Sequence, residues 1–228
     1  MAVHGRQSLR DLFDESPTPH IAHPPRTHHR HFYVATDGSY RSSGDGGLGV
    51  VIETRDGTRV ARVAVPDAAP NNNVSEYRAL HLGLDVLAAR APPSARVGVL
   101  IDHDALAANV NTEVLAKADP EWRRTRRPTS PPAGSENHWR GIRARIAGFA
   151  ELRAARIDGR NNPAHPLANA PNEYAHVNER KDRCVVPDSP SPANAGPGTG
   201  TGTRTGAETE ADDPQFPPPS RFESRASD

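Results

Sequence analysis

The sequence holds little of what a disulfide scaffold, a cysteine zinc site or a membrane protein requires. Among 228 residues there is one cysteine, Cys184, and aromatic residues make up 5% of the chain. A single cysteine excludes an intramolecular disulfide framework and a zinc site built on several cysteines. No apolar run approaches the length of a signal-peptide core or a membrane-spanning helix. We therefore expect a soluble, cytoplasmic protein.

Proline and glycine are abundant instead, and their distribution predicts one folded domain with two unfolded ends. The chain has 23 prolines and 18 glycines, too many for a compact fold throughout. Residues 1–30 are polar and rich in proline and histidine, which indicates a flexible arm. Residues 184–228 are mostly Pro, Gly, Ser and Thr, a composition that buries too little apolar surface to fold. The folded domain is expected over residues 31–183.

Charge is balanced overall but not along the chain. The 28 basic and 28 acidic residues cancel, while the segment 184–228 has three arginines and seven acids, a net charge of −4. The remainder is therefore at +4, which permits a polyanionic partner without demanding one.

Hydrophobic patterning predicts the element order β-β-β-α-β-α-α-β-α. A short apolar run over Phe32–Ala35 is followed by two β-type runs, Leu48–Thr54 and Thr58–Val65, around the hairpin step Asp56-Gly57. Residues Asn73–Arg90 have the apolar stripe of an amphipathic helix.

The later part of the chain predicts alternating strands and helices. The predicted elements are the strand Val97–Ile101, the short helix Ala105–Val110, a loop from Ala118 to about Ser135, the helix Trp139–Leu152, the strand Ala154–Asp158 and a helix from Pro163 to about Lys181. Helical crossovers imply parallel strands beside the antiparallel meander. We expect an α/β fold with a mixed sheet and helices on both faces.

Three carboxylates stand where such a fold could bring them together. Asp37 and Asp102 each end an apolar strand, and Glu76 lies in the first turn of the long helix. Neighbouring parallel strands place their carboxyl ends at one edge of the sheet, where three hard oxygen ligands suit magnesium or manganese. Each acid also has a structural interpretation: Glu76 could pair with Asn73 in a helix cap, Asp37 could be a turn residue, and Asp102 could cap the next helix.

Four segments of the sequence have the pattern of successive family motifs, and they are Tyr33–Ser39, Gly47–Ile52, Asn72–Leu84 and Val99–Asp102. They resemble the motifs of the ribonuclease H type 1 family, above all its short archaeal and bacterial members and the related reverse-transcriptase-like domains of plants. The resemblance covers about residues 31–181, and its most specific part surrounds Glu76.

The resemblance implies a five-stranded mixed sheet and a two-metal site held by Asp37, Glu76 and Asp102. It also implies hydrolysis of the RNA strand of an RNA/DNA hybrid, with 5′-phosphate and 3′-hydroxyl products. In the family the 2′-hydroxyl is recognised near the position of Glu76. The positions that match substrate-binding residues are Ser39, Asn72 and Asn73.

The sequence departs from the family at the fourth metal ligand. The family commonly has Asn-x-x-Ala-Asp-x-Leu-Ala, and here Asn161–Ala168 matches with His165 in place of the Asp. A second register places His176 there but lacks the Leu-Ala that follows. Imidazole suits manganese better than magnesium, so we expect a weak second metal and more activity with manganese. The alternative is that His165 only packs at the start of the last helix.

Two further segments suggest partners. Arg123 and Arg124, beside Trp122, could bind the backbone of the hybrid, although a solvated loop is an equal interpretation. Leu9, Leu12 and Phe13 have the anchor spacing of a sliding-clamp peptide.

Three functions remain open from the sequence. The first is a metal-dependent endonuclease on RNA/DNA hybrids. The second is a nucleic-acid-binding module of the ribonuclease H fold with weakened or lost catalysis. The third is a nuclease for double-stranded RNA or RNA-DNA junctions.

Overall fold

Strands and helices alternate along the chain in a computed structural model that describes residues 7–23, 25–119, 121, 129–174 and 177–178. The strands are β1 Phe32–Ser39, β2 Gly46–Thr54, β3 Arg59–Asp67, β4 Arg96–Ile101, β5 Glu151–Arg156 and β6 Val177–Asn178. The helices are α1 Leu9–Glu15, α2 Asn72–Ala88, α3 Asp104–Ala118, α4 Glu136–Gly148 and α5 His165–Asn169, with 3-10 turns at Gly159–Asn161 and Pro171–Glu173. None of the helices in these ranges is long and apolar enough to span a membrane.

The strands form one mixed sheet in the order β5-β4-β1-β2-β3-β6. The meander β1-β2-β3 is antiparallel, and β1, β4 and β5 are parallel. Gly57 has φ +82°, which allows the tight turn of the predicted hairpin between β2 and β3. The predicted α/β fold with a mixed sheet is confirmed, and the two-residue strand β6 adds a sixth member at the edge beside β3.

Each face of the sheet carries its own apolar core. Helices α2, α3 and α4 cover one face, where Leu84, Val99 and Ile142 belong to the larger cluster of buried residues. Helices α1 and α5 cover the opposite face, where Phe13 and Leu167 belong to the smaller cluster. Burial on both faces explains why β1 is buried at every position.

Helix α1 corrects part of the prediction of a flexible arm over residues 1–30, because residues 9–15 of that segment are folded. Ser8 caps α1 in a capping box, and Leu9 and Phe13 are each 1% exposed. The backbone N–H of Leu9 also donates to the buried carboxylate of Glu53 at 2.9 Å. The apolar face of this helix therefore belongs to the core.

The same packing contradicts the sliding-clamp hypothesis. Two of its three anchors, Leu9 and Phe13, are buried in the core, and Leu12 packs against the same cluster. The anchor spacing of the motif is also the spacing of one helix face, so the sequence alone could not separate the two interpretations.

Several predicted boundaries were wrong. Helix α3 is 15 residues long, beyond the predicted Ala105–Val110. Strand β5 begins at Glu151 and not at Ala154, because the helix before it ends at Gly148. Over residues 163–174, the predicted last helix is reduced to the five residues of α5, since Pro171 disfavours helical geometry at the residue before it. The predicted tail 184–228 lies outside the described residues.

Candidate active site

Two aspartates meet at one edge of the sheet because their strands are parallel neighbours in register. Ala35 of β1 pairs with Leu100 of β4. Asp37 and Asp102 each follow two residues later, so they lie side by side at the carboxyl end of the strands. Open α/β sheets bind ligands at this edge.

A third potential ligand joins them from the end of the domain. Asp37, Asp102 and His165 each offer one ligand atom, and these atoms lie within 4.8 Å of one another. This is the one such group found among the described residues. Asp37 is buried, Asp102 is half-buried and His165 is exposed, so the group opens from the core towards solvent.

Glu76 lies in α2 beside this group, with its side chain held by β1. The N-cap of α2 is Asn71, whose side chain accepts from Val74 N at 3.0 Å, so the Asn73–Glu76 cap is wrong. The backbone N–H of Gly38 supports the Glu76 carboxylate. A Cβ on Gly38 would collide with the backbone of Ser75. Only glycine lets α2 approach β1 closely enough for this contact.

The three acids are electrostatically strained. Burial raises the pKa of Glu76 to about 10, with repulsion from Asp102 and Asp37 adding to it. Burial, followed by repulsion from Asp102 and a hydrogen bond with it, raises the pKa of Asp37 to about 8. Carboxylates held so close favour a bound cation, which would let all of them ionise.

Two carboxylate oxygens at the site make no hydrogen bond within the described part of the chain. They are Glu76 Oε2 and Asp102 Oδ1, and both atoms are buried. Buried polar atoms are normally paired, because an unpaired one loses its hydration without compensation. Two unpartnered carboxylate oxygens, in a site where carboxyl pKa values are raised, are suitable ligands for a divalent cation such as Mg²⁺ or Mn²⁺.

His165 contacts one of the two aspartates, Asp37, directly. Its Nδ1 lies 3.1 Å from Asp37 Oδ2, and its side chain is 51% exposed. A histidine so exposed is not part of the core, and it lies beside Asp37; its role as a metal ligand stays a prediction. The competing candidate, His176, lies outside the described residues.

The residues predicted to bind substrate have different surroundings. Ser39 is buried, and its hydroxyl donates to Ala168 O at 2.6 Å and accepts from Gly47 N at 3.0 Å, which ties β1 to α5 and β2. Its predicted role at the substrate does not fit these bonds. Asn72 and Asn73 are exposed at the start of α2. Arg123 and Arg124 lie outside the described residues.

Two structural residues at the site were not predicted. His103 caps α3 by accepting from Leu106 N at its Nδ1, so the predicted cap by Asp102 is wrong. Nε2 of His103 therefore carries the proton and donates to Asn73 Oδ1 at 3.0 Å. Asn162 is 2% exposed and donates to Thr36 O at 2.9 Å, which anchors the segment before His165 to β1. The Asn161-Asn162-Pro163 step was a turn signal, but its partner on β1 is distant in sequence.

No protein-family model matches the chain, and no curated protein matches its sequence. Solved structures do. The N-terminal ribonuclease H domain of a Mycobacterium tuberculosis protein is 23% identical, with 60% of this chain and 95% of that chain covered and a TM-score of 0.44. The ribonuclease H1 LC11 from a compost metagenome, solved with an RNA/DNA hybrid, is 21% identical over 62% of this chain and 94% of that chain, with a TM-score of 0.42.

The protease-reverse transcriptase of prototype foamy virus is 16% identical, with a TM-score of 0.50 over 70% of this chain and 23% of that chain. At sequence identities this low, structural similarity is evidence about the fold alone. The strand order, together with the likeness to the foamy virus protein, gives the chain the ribonuclease H fold. The fold and its acidic cluster define a protein with a candidate divalent-metal site at the carboxyl edge of the sheet.

Proposed function

We propose that the protein is a metal-dependent endonuclease that hydrolyses the RNA strand of RNA/DNA hybrids, leaving 5′-phosphate and 3′-hydroxyl ends. The observation that carries the proposal is the group of Asp37 and Asp102, which repels the nearby carboxylate of Glu76, together with two buried, unpartnered carboxylate oxygens. A site without a cation has no reason to hold such repulsion. The substrate class is that of the family whose motifs the sequence resembles.

In this proposal the side chains at the site have two roles, metal binding and substrate binding. Asp37, Glu76 and Asp102 would hold two divalent ions, with His165 as the fourth ligand. Bound there, the ions would activate the attacking water and stabilise the leaving 3′ oxygen. Asn72 and Asn73 are exposed beside Glu76 and would contact the minor groove of the hybrid, where the 2′-hydroxyl distinguishes RNA from DNA.

The test is cleavage of an end-labelled RNA/DNA hybrid with Mg²⁺ or Mn²⁺. Wild-type protein should cut the RNA strand, and Asp37→Asn should lower the rate by roughly 100-fold or more, because the carboxylate charge that binds the ion is lost. Asp45→Asn is the matched control, since Asp45 is exposed in the β1–β2 loop. Equal cleavage by wild type and Asp37→Asn would refute the proposed site.

A second candidate is a hybrid-binding module with weak or no catalysis. The observation that favours it is His165, which stands where the family has a carboxylate ligand. Wild-type protein that binds the hybrid without cutting it, together with cutting by His165→Asp, would establish this candidate.

Manganese should support more cleavage than magnesium. Neutral imidazole is a poorer ligand for Mg²⁺ than for Mn²⁺, so the metal position next to His165 should bind Mg²⁺ weakly. The measurement is the initial rate over a titration of each ion. Replacement His165→Asp should reduce the difference between the ions, and equal wild-type rates at limiting concentrations would contradict this explanation.

A further inference from the structure

Asn169 lies one helical turn after His165 on α5 and contacts it twice. Its Nδ2 is 3.0 Å from His165 O and 3.0 Å from His165 Nε2. Arg41 donates to Asn169 O at 2.9 Å, which holds this end of the helix against the β1–β2 loop. Residues four apart on a helix share a face, so the two side chains are neighbours by geometry.

These two contacts determine which atom of the Asn169 amide faces the ring. A backbone carbonyl only accepts hydrogen bonds, so the amide atom beside His165 O must be the NH₂ group. The same NH₂ group therefore donates to His165 Nε2, which must be unprotonated. A neutral imidazole then carries its proton on Nδ1. That proton is donated to Asp37 Oδ2, 3.1 Å away.

The nitrogen beside the aspartates is thus a donor and has no lone pair for a metal. We propose that Asn169 is a positioning residue that holds His165 as a hydrogen-bond donor to Asp37. The fourth ligand position is then closed to a divalent ion until the ring gives up its contact with Asn169. The second half of this inference rests on the proposed metal site, whereas the first half concerns the protein without metal.

The arrangement uses a property that a carboxylate lacks. A fourth acid at this edge would add repulsion to Asp37 and Glu76, whose pKa values are already raised. An imidazole with its proton on Nδ1 instead gives Asp37 a hydrogen bond while no ion is present. Binding of the second ion must break that bond, which lowers its affinity.

The first arm of the test is ¹⁵N NMR of the His165 ring in metal-free protein, with the signals assigned by their loss in His165→Gln. The wild-type neutral ring should carry its proton on Nδ1. In Asn169→Asp the new carboxylate can only accept, so the proton should move to Nε2. Asn172→Asp, at an exposed position of the next turn, is the matched control and should leave the ring unchanged. A wild-type ring protonated on Nε2 would overturn the inference.

The second arm is calorimetric titration with Mn²⁺. Asn169→Ala frees Nε2 to take the proton and Nδ1 to bind, so affinity for the weaker ion should rise roughly 3- to 10-fold. Weaker Mn²⁺ binding in Asn169→Ala would show instead that Asn169 supports His165 as a ligand, and would refute the closed fourth position. Failure of the proposed function is distinguishable, because wild-type protein would then neither bind Mn²⁺ nor cut the hybrid, while the NMR arm would still decide the tautomer.

Discussion

Glu76 is an acid held in surroundings that favour its neutral form. Its residue is 4% exposed, and one carboxylate oxygen has no hydrogen-bond partner in the described part of the chain. Because the pKa of Glu76 is raised from 4.5 to about 10, the folded protein binds its proton more tightly than the unfolded chain does. Its contribution to stability is fully present below pH 4.5 and is lost as the pH rises towards 10.

Glu76→Gln should therefore stabilise the metal-free protein and abolish cleavage. At pH 8 we expect the free energy of unfolding to rise by about 2–4 kcal/mol, since glutamine keeps the shape and removes the ionisation. Urea denaturation in the presence of a chelator measures this, at pH 5 and pH 8. Glu173→Gln, at an exposed position, should change neither stability nor activity. No gain for Glu76→Gln at pH 8 would mean that the carboxylate is not destabilising.

For single residues, the positions of the acids at the site could be predicted from the sequence, but the residues that contact them could not. Asp37 and Asp102 could be predicted because strand ends and parallel pairing suffice to place them. The contact Asn162–Thr36 could not be predicted, because it depends on where the segment before α5 docks on β1, which lies more than 100 residues earlier in the sequence. The caps at Asn71 and His103 were missed because a helix start is set by backbone geometry at a single residue.

Helices α1 and α5 share the face of the sheet opposite α2. Because α5 is five residues long, it leaves part of that face to α1. The ring of Phe13 packs edge-on against Tyr33, with centroids 5.5 Å apart. A Cβ on Gly98 would lie 3.0 Å from the Phe13 ring, so glycine in β4 makes room for it.

Phe13→Ala should destabilise the protein by about 3–5 kcal/mol, because it removes a buried ring and leaves a cavity on the sheet. The measurement is chemical denaturation of the full chain. Glu15→Ala, at an exposed position of the same helix, should change stability by less than about 0.5 kcal/mol. Equal, small effects of both substitutions would show that α1 does not contribute to the core.

Prediction of the elements succeeded where the apolar pattern was long. Helix α2 has several turns of stripe, and its bounds differed from the predicted ones by one or two residues. Helix α1 has seven residues among polar neighbours, too few to distinguish a packed helix from an arm. Strand β6 has two residues and is defined only by its pairing with β3.

Across the whole domain, α2 and α4 are joined by a polar cluster of His81, His138, Asp85 and Arg145. His81 Nδ1 lies 3.3 Å from His138 Nδ1, and Arg145 donates to Asp85 at 2.7 Å. Burial, followed by repulsion from His81 and Arg78, lowers the pKa of His138 from 6.5 to about 4. The folded protein therefore keeps this ring neutral where the unfolded chain would protonate it.

Acid should weaken the domain through this cluster. The stabilising effect of a lowered histidine pKa is present above pH 6.5 and is lost as the pH falls towards 4. Over that range we expect His138 to account for about 1–3 kcal/mol. Because the carboxylates at the site respond in the opposite direction, the quantity to measure is the difference between wild type and His138→Gln in urea denaturation at pH 7 and pH 4.5. This difference should shift with pH, whereas that for His28→Gln, at an exposed position, should not.

The position of α1 predicts a folding order that differs from the order of the chain. A helix of seven residues is too short to persist alone in water. Its partners, Tyr33 on β1, Glu53 on β2 and Leu100 on β4, all come later in the sequence. We therefore expect the first helix of the described chain to become stable only after the central strands have assembled, because their side chains form the surface on which it packs.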